Sequence, residues 1–168
     1  MRVEIHEIHD LFNQKSLQVR SETKFIVVHN DAIDQSNRTY TPAFEIAEYH
    51  TISKGWRSVA YHYYIGKNGK VYNLVNDKLE TVHVGKPNDK ISLAICLQGN
   101  FDNEKPTKQQ LISLLKVLKK LKKEYPEAQL VGHRDMNKKT SCPGKNFDLD
   151  KIKEITNFHF LKIKNGLH

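Results

Sequence analysis

The sequence has no long apolar run, and charges are scattered through its first ten residues, MRVEIHEIHD. A membrane helix needs about 20 predominantly apolar residues and a signal peptide needs a continuous apolar core, so we expect neither. This start leaves three alternatives: a protein that stays in the cytoplasm, one exported by another route, and one whose leader is missing.

Cysteine is scarce, because the 168 residues include only Cys96 and Cys142. Two cysteines exclude a disulfide scaffold, although they allow a single bridge. Cys96 lies in the apolar run ISLAICLQG, where a free cysteine behaves as a small hydrophobic residue. Cys142 instead lies in the polar loop KKTSCPGK, where packing gives no reason for a thiol. We therefore expect Cys142 to have a chemical role.

Internal repeats and linkers are also absent, and the length fits one domain, residues 1–168. An apolar, β-branched segment predicts a strand from about Lys24 to Val28, and KNG between two strand-like runs predicts a β-hairpin. The wholly apolar ISLAICLQG predicts a central strand, and AQLVGH predicts a short one. Strands interspersed with helices predict an α/β domain in which helices flank a central mixed β-sheet.

Capping residues and apolar periodicity predict three helices. The pair Thr41–Pro42 begins a helix that ends near Gly55, and a last helix begins after Asp148. The clearest helix is Thr107–Glu124, whose cap residue and Gln110 stand at the spacing of a capping box. Its apolar stripe consists of Leu111, Leu114, Leu115, Leu118 and Leu121.

The net charge is +8, which favours polyanionic partners. Five lysines lie together in the long helix: Lys116, Lys119, Lys120, Lys122 and Lys123. Most of them fall off the apolar stripe, which favours a solvated face. A nucleic-acid-binding domain is the competing interpretation, but the sequence has no groove-reading motif and no aromatic residues between these lysines. We therefore expect no nucleic acid and consider anionic cell-wall polymers as partners.

Nine histidines are available, and two stand out by position. His29 follows the apolar IVV and His133 follows QLVG, and strand ends are where distant segments converge in α/β sheets. His50 and His62 are expected to have structural roles. With Cys142, the two imidazoles form a donor set that suits Zn²⁺, and three protein ligands leave the fourth position for water. The residues alone leave unrelated histidines as an alternative, because no compact motif such as HExxH is present.

Four segments agree with one family in order and spacing: FIVVHN, GWRSVAYHYYIGKNGKVYNL, HVGKPNDKISLAICLQGNF and LVGHRDMNKKTSCPGKNFD. The chain resembles the N-acetylmuramoyl-L-alanine amidases of the type shared by phage lysozyme-amidases and peptidoglycan recognition proteins. The resemblance runs from about Lys24 to Phe158, and it implies the α/β fold of those proteins. Residues 1–20 have no counterpart, and we expect them to form a short added strand or arm.

The resemblance implies roles for five residues. It makes His29, His133 and Cys142 the zinc ligands, and it makes Tyr61, in AYHYYI, the catalytic tyrosine. Thr140 occupies a position that is lysine in some phage enzymes and threonine in catalytic recognition proteins, so this chain has a hydroxyl there. Recognition proteins that only bind typically lack the cysteine, and its presence here predicts an active enzyme.

Other residues beside these motifs have less specific matches. His83, in HVGKPN, and Asn88 match less stringent family positions, and we expect them to line the groove that receives the stem peptide. Trp56 is equally consistent with stacking on sugar and with packing. Asp135, in GHRD, is expected to support the site or cap its loop, and Arg134 is expected to face solvent. No carboxylate is singled out as the general acid or base.

The resemblance thus predicts a zinc-dependent hydrolase that cleaves the amide between N-acetylmuramic acid and L-alanine in peptidoglycan. A non-catalytic muropeptide-binding module and a cytoplasmic amidase that recycles muropeptides are the alternatives. A compact domain without a leader suits a phage or prophage endolysin, which is released to the cell wall at lysis. We expect a monomer whose partners are peptidoglycan or muropeptides.

Overall fold

Six strands form one mixed β-sheet in the computed structural model, which describes residues 4–11, 16–33 and 42–157. The strands are β1 (Ile5–Glu7), β2 (Phe25–Asn30), β3 (Tyr63–Ile65), β4 (Val71–Asn73), β5 (Ser92–Leu97) and β6 (Gln129–Gly132). Their spatial order is β1-β4-β3-β5-β2-β6. The pair β3–β4 is antiparallel and the other neighbours are parallel, which confirms the predicted mixed sheet.

Helices occupy both faces of the sheet. The α-helices are α1 (Pro42–Glu48), α2 (Lys108–Glu124), α3 (His133–Met136) and α4 (Leu149–Thr156). Helix α1 continues as a π-helical turn, Tyr49–Ser53, so the prediction that this helix ends near Gly55 is confirmed. Its predicted cap, Thr41, lies outside the described residues. Within the described ranges no helix is long and apolar enough to span a membrane.

Strand β5 lies in the centre of the sheet, as its apolar sequence predicts. All six of its residues are buried, and it pairs in parallel with β2 along its whole length. Cys96 in this strand has no exposed surface, so its predicted place in the core is confirmed. A fully buried strand of this kind needs apolar side chains on both faces, because both faces are covered by helices.

The larger core lies between the sheet and the helices α2 and α4. Alternate residues of β2, such as Ile26 and Val28, point into it, where they meet Leu114, Leu118 and Ile152. The opposite face packs against α1 in a smaller cluster: Ala43, Ile46, Ala47, Val59, Tyr64, Leu74, Val75 and Cys96. Because successive side chains of a strand point to opposite faces, the residue after Val28 faces the α1 side.

The predicted end of β2 at Val28 is wrong by two residues. The strand continues through His29 and Asn30, which pair with Cys96 and Leu97 of β5. The polar side chain of His29 hides this continuation in the sequence, because a histidine interrupts the apolar pattern from which the strand was predicted. His29 is therefore held by the ladder of the sheet itself.

The predicted hairpin around KNG is confirmed, although its two strands have only three residues each. On the outer side of the hairpin, β1 pairs in parallel with β4 at the edge of the sheet. Residues 1–20 were predicted to form a short added strand or arm, and Ile5–Glu7 within them form this edge strand. Val19 makes an isolated antiparallel bridge with Leu79, outside the six strands.

Helix α2 begins with the predicted capping box, in which Thr107 and Gln110 exchange hydrogen bonds. Gln110 is completely buried, and its amide also donates to the carbonyl oxygens of Ile65 (3.2 Å) and Gln98 (2.8 Å). One glutamine therefore ties the start of α2 to the ends of β3 and β5. The apolar stripe predicts this helix, but it does not predict the polar anchor.

We predict that Gln110→Ala lowers the free energy of unfolding by about 1–3 kcal/mol, because it removes the buried donor to the Ile65 and Gln98 carbonyl oxygens and the acceptor of the Thr107 amide. Chemical denaturation followed by circular dichroism measures this change. Gln109→Ala is the matched control on an exposed position of the same turn, and its effect should stay within about 0.5 kcal/mol. Equal midpoints for the two variants would show that the buried amide does not hold the helix.

Candidate metal centre

Three segments of the chain bring His29, His133 and Cys142 together. His29 lies near the end of β2, His133 is the first residue of α3 directly after β6, and Cys142 lies in the loop that follows α3. One nitrogen of each imidazole and the Cys142 sulfur all lie within 4.8 Å of one another. The three residues that the sequence predicts as zinc ligands therefore meet at one point.

The loop that contains Cys142 is held by hydrogen bonds from Arg134. The Arg134 amide donates to the Cys142 carbonyl (2.7 Å), and its guanidinium donates to the Gly144 carbonyl (2.7 Å). The prediction that Arg134 faces solvent is therefore wrong, because the short loop folds back over the start of α3. Asp135 accepts from the Gly132 amide (2.8 Å) and so caps the start of α3, which agrees with the capping alternative of its prediction.

Asp102 holds the same loop from its other side. Its carboxylate accepts from the Lys145 amide (2.8 Å) and from the Ser141 hydroxyl. Gly144 lies so close to Phe101 that a Cβ atom there would be 2.5 Å from the Phe101 carbonyl carbon. With a φ of +109°, this position also requires a backbone conformation that only glycine adopts without strain.

The sulfur of Cys142 faces the end of β2. It lies 3.8 Å from Nδ1 of His29 and accepts a hydrogen bond from the Asn30 amide (3.4 Å). Burial raises the pKa of the Cys142 thiol to about 11, and the Asn30 amide opposes that shift. A backbone N–H aimed at the sulfur favours the thiolate, which is the form that binds a metal.

Both imidazoles of the centre favour the neutral form. Burial lowers the pKa of His29 well below its usual value, and repulsion from His133 lowers it further. Burial also lowers the pKa of His133, against an opposing contribution from Asp89. Neutral imidazoles keep a lone pair, which a metal ligand requires.

A cavity of about 290 Å³ opens in front of the three residues. Tyr61, Trp56 and His83 line it together with them, and the Tyr61 ring lies 5.3 Å from the His29 ring. Trp56 stacks on His50 at 4.7 Å and keeps 40% of its surface exposed, so it both packs and faces the cavity. The catalytic role of Tyr61 and the substrate contacts of Trp56 and His83 stay predictions.

Two further predicted residues lie beside the cavity rather than in its wall. The Thr140 hydroxyl accepts from the Cys142 amide (3.1 Å), so it shapes the ligand loop, while its proton can still be donated. Asn88 begins a 3-10 turn, and its carbonyl oxygen accepts from the Ser92 hydroxyl (2.6 Å). A role of Asn88 in the groove for the stem peptide stays a prediction.

A second cavity, of about 670 Å³, adjoins the first along helix α1. Asp31 and Tyr61 belong to both walls. The Asp31 carboxylate accepts from the Tyr64 hydroxyl (2.6 Å) and from the Gly99 amide (2.9 Å), which fastens the chain directly after β2. The two cavities, which share Asp31 and Tyr61 in their walls, form a groove that reaches the three donor residues.

The donor set fits a tetrahedral metal ion. Zinc–ligand distances of about 2.0–2.3 Å place tetrahedral donors roughly 3.4–3.8 Å apart. The Cys142 sulfur and His29 Nδ1 already meet this condition at 3.8 Å, and the full triad lies within 4.8 Å, so a small contraction completes it. Three protein donors beside an open cavity are the arrangement of a catalytic site, in which one position stays free for water or substrate.

The fold and the His29, His133 and Cys142 site can be compared with known proteins. A sequence profile of the N-acetylmuramoyl-L-alanine amidase family matches residues 19–145. The match covers most of the chain, and the chain therefore belongs to this family, as its sequence motifs predict.

Relatives of two kinds are found within this family. The endolysin of Klebsiella phage KP32 is 32% identical over 137 residues, which are 79% of this chain and 86% of the endolysin. Peptidoglycan-recognition protein LB of Drosophila melanogaster is 32% identical over 103 residues, which are 60% of this chain. The chain spans only 44% of the length of that recognition protein.

Solved structures of amidases share the fold. The N-acetylmuramoyl-L-alanine amidase LysC from Clostridium intestinale superposes with a TM-score of 0.80 at 29% identity, over 93% of this chain and 99% of LysC. The structure of the Drosophila recognition protein SD has the same TM-score at 23% identity, which shows the shared fold. The predicted single-domain α/β fold is confirmed.

Two other histidines near the site have structural roles, as predicted. His62 has no exposed surface, and its ring bonds both the Leu79 carbonyl (2.8 Å) and the Ala94 amide (3.0 Å). Burial lowers the pKa of His62 to about 3 and that of His50 to about 4. Both rings are therefore neutral wherever the domain is folded and the pH is near neutral.

We predict that the metal-free protein loses stability as the pH falls from about 6.5 towards 4. The unfolded chain binds protons with a histidine pKa near 6.5, whereas the folded chain resists protonation, so stability is complete above that pH. His62 alone changes the free energy of unfolding by up to about 1.4 kcal/mol per pH unit. Chemical denaturation in the presence of chelator, at several pH values between 7.5 and 4.5, measures how the free energy of unfolding depends on pH. His62→Gln should show a shallower slope, and a flat profile in the wild type would contradict the assignment.

Proposed function

We propose that this chain is a zinc-dependent amidase that hydrolyses the bond between N-acetylmuramic acid and L-alanine in peptidoglycan. The observation that supports it best is the convergence of His29, His133 and Cys142 within 4.8 Å at the floor of an open cavity. Two imidazoles and a thiolate with one free position are the donors of a catalytic zinc site. Family membership supports the choice of substrate.

Zinc held by these residues would lower the pKa of a bound water towards neutral pH and would polarise the carbonyl of the scissile amide. The residues of the chain then have three tasks. His29, His133 and Cys142 hold the ion, the groove along α1 orients the substrate, and the Tyr61 hydroxyl stabilises the oxygen on which charge develops. Burial raises the pKa of Tyr61 well above its usual value, so this hydroxyl keeps its proton and can donate it in a hydrogen bond.

Thr140 has a supporting part in this proposal. Its oxygen accepts from the Cys142 amide, which leaves the hydroxyl proton to donate towards the substrate. Among the described residues that line the cavity with the ligands, Asp31 is the one carboxylate, and its oxygens already bond Tyr64, Ile33 and Gly99. We therefore assign no proton transfer to a carboxylate and place the stabilising hydrogen bonds on Tyr61 and Thr140.

The biological setting that we propose is lysis of the bacterial wall by an endolysin of the phage type. The chain matches most of the length of the KP32 endolysin, and it has the cysteine that a purely binding module does not need. A muropeptide-binding module would keep the groove without turnover, and a recycling amidase would prefer small soluble muropeptides to intact walls. The net charge of +8 favours attraction to anionic wall polymers.

We predict that the purified protein releases stem peptides from intact sacculi, that a chelator stops the release, and that Zn²⁺ restores it. Cys142→Ser should lose turnover, because a hydroxyl replaces the soft thiolate ligand, while it keeps affinity for muropeptides. Lys139→Ala is the matched control on an exposed position of the same loop and should keep full activity.

Three outcomes of this assay would contradict parts of the proposal. Activity that survives complete removal of zinc would contradict the metal mechanism. Stoichiometric muropeptide binding by the zinc-loaded wild type without turnover would favour the binding module. Turnover of soluble muropeptides combined with inert sacculi would favour the recycling amidase over the endolysin.

We predict that Tyr61→Phe lowers kcat by roughly 10²–10³-fold, which is the usual cost of removing one donor to a developing oxyanion. The zinc content and KM should change little, because the ring and its packing are retained. Tyr72→Phe, in the hairpin strand β4, is the control that removes a tyrosine hydroxyl outside the groove. Equal kcat values for both variants would exclude the Tyr61 hydroxyl from the chemical step.

A further inference from the structure

A chain of hydrogen bonds runs from His29 through His83, which also lines the cavity, to Ser92 and Asn88. Nε2 of His29 lies 3.0 Å from Nδ1 of His83, and Nε2 of His83 lies 3.0 Å from the hydroxyl oxygen of Ser92. The Ser92 hydroxyl in turn donates to the carbonyl oxygen of Asn88 at 2.6 Å. The chain thus joins four groups in series. They come from β2, the segment after β4, the start of β5 and a 3-10 turn.

The last bond determines the direction of all the others. A serine hydroxyl has one proton, and that of Ser92 is donated to the Asn88 carbonyl. The Ser92 oxygen can therefore only accept from His83, so Nε2 of His83 must have a proton. If the proton of His83 were on Nδ1 instead, two lone pairs would face each other at 3.0 Å.

Burial favours the neutral form of both imidazoles, with one proton each. His29 is 2% exposed and His83 is 9% exposed, and the described contacts of His83 include no carboxylate oxygen on its ring. A neutral His83 with its proton on Nε2 has a bare Nδ1, which accepts the proton of His29 Nε2. Nδ1 of His29 is then the nitrogen with the lone pair, and it is the atom that lies 3.8 Å from the Cys142 sulfur.

We infer that His83, held by Ser92, is a positioning residue that selects the tautomer of His29 in which Nδ1 is free to bind the metal. The inference rests on the metal site of the proposed function. Metal-binding histidines usually donate their second N–H to a carboxylate, a backbone carbonyl or water, and this outer partner fixes the ring. In this chain the acceptor is a second imidazole, whose own tautomer is set by a serine.

The backbone around His83 is rigid enough for this task. One carboxylate oxygen of Asp89 accepts from three successive amides, those of His83, Val84 and Gly85, at 3.0–3.1 Å. Asp89 itself is 2% exposed. Asp89 thus fixes the backbone of this segment, and a His83 ring that turned away from His29 would break its hydrogen bonds to both His29 and Ser92.

The first test is the proton position on each ring in the metal-free wild-type protein. Nitrogen NMR of protein labelled in its histidines distinguishes N–H from bare ring nitrogens. The inference predicts that both His29 and His83 have their proton on Nε2. A proton on Nδ1 of His29 would overturn it. The NMR measurement needs no metal, so it decides the inference even if the protein binds no zinc. Failure to bind zinc would refute the proposed function separately.

The second test is the zinc affinity of four variants, measured by competition with a chromophoric chelator. His83→Leu removes the acceptor and should weaken zinc binding about 10–100-fold. His83→Asn places an amide oxygen near the former Nδ1 and should recover most of the affinity. Ser92→Ala frees the tautomer of His83 and should weaken binding to an intermediate degree.

Ser113→Ala is the matched control for the serine. Its hydroxyl also donates to a backbone carbonyl at 2.6 Å, that of Gly69, but it lies on helix α2 on the opposite face of the sheet. It should bind zinc as tightly as the wild type. Wild-type affinity in His83→Leu, or equal affinities in Ser92→Ala and Ser113→Ala, would show that the hydrogen-bonded chain does not position the ligand.

Discussion

The parallel pairing of β2 with both β5 and β6 is the constraint on which the site depends. It places the end of β2, with His29, beside the end of β6, after which His133 follows at once. The pleat of β2 directs Val28 into the core under α2 and His29 to the other face. A slip of one residue in this register would bury the imidazole among leucines and remove it from the cavity.

Cys142, the third member of the triad, is positioned by hydrogen bonds within its loop and not by the pairing of strands. The Cys142 loop is fastened by Arg134 on one side and by Asp102 on the other, and Gly144 allows the close approach to Phe101 that this needs. The position of Cys142 is in this way fixed by hydrogen bonds on both sides of its loop. The thiol can therefore face the Asn30 amide and the His29 ring despite the polar, irregular sequence around it.

Much of the architecture could be predicted from the sequence, because strands, hairpins and helix caps have local patterns. The central strand with Cys96, the KNG hairpin and the capping box of α2 are examples, and the motifs also predicted the family. The errors occurred where a polar residue is held by groups outside its immediate sequence neighbours. The continuation of β2 through His29 and Asn30 was missed because a histidine interrupts the apolar pattern. The anchoring role of Arg134 was missed because its partners, Cys142 and Gly144, lie eight and ten residues further along the chain.

The sequence by itself determined which residue types are available and which segments form strands, since composition and periodicity are properties of neighbours. It also predicted His29, His133 and Cys142 as ligands, a role that the geometry suits and that only bound metal can test. Only the tertiary structure decided which nitrogen of His29 faces the sulfur. That choice depends on His83, which is 54 positions away, and on a serine proton whose direction is set by a backbone carbonyl. Hydrogen-bond direction is a property of groups brought together in space, so no local pattern encodes it.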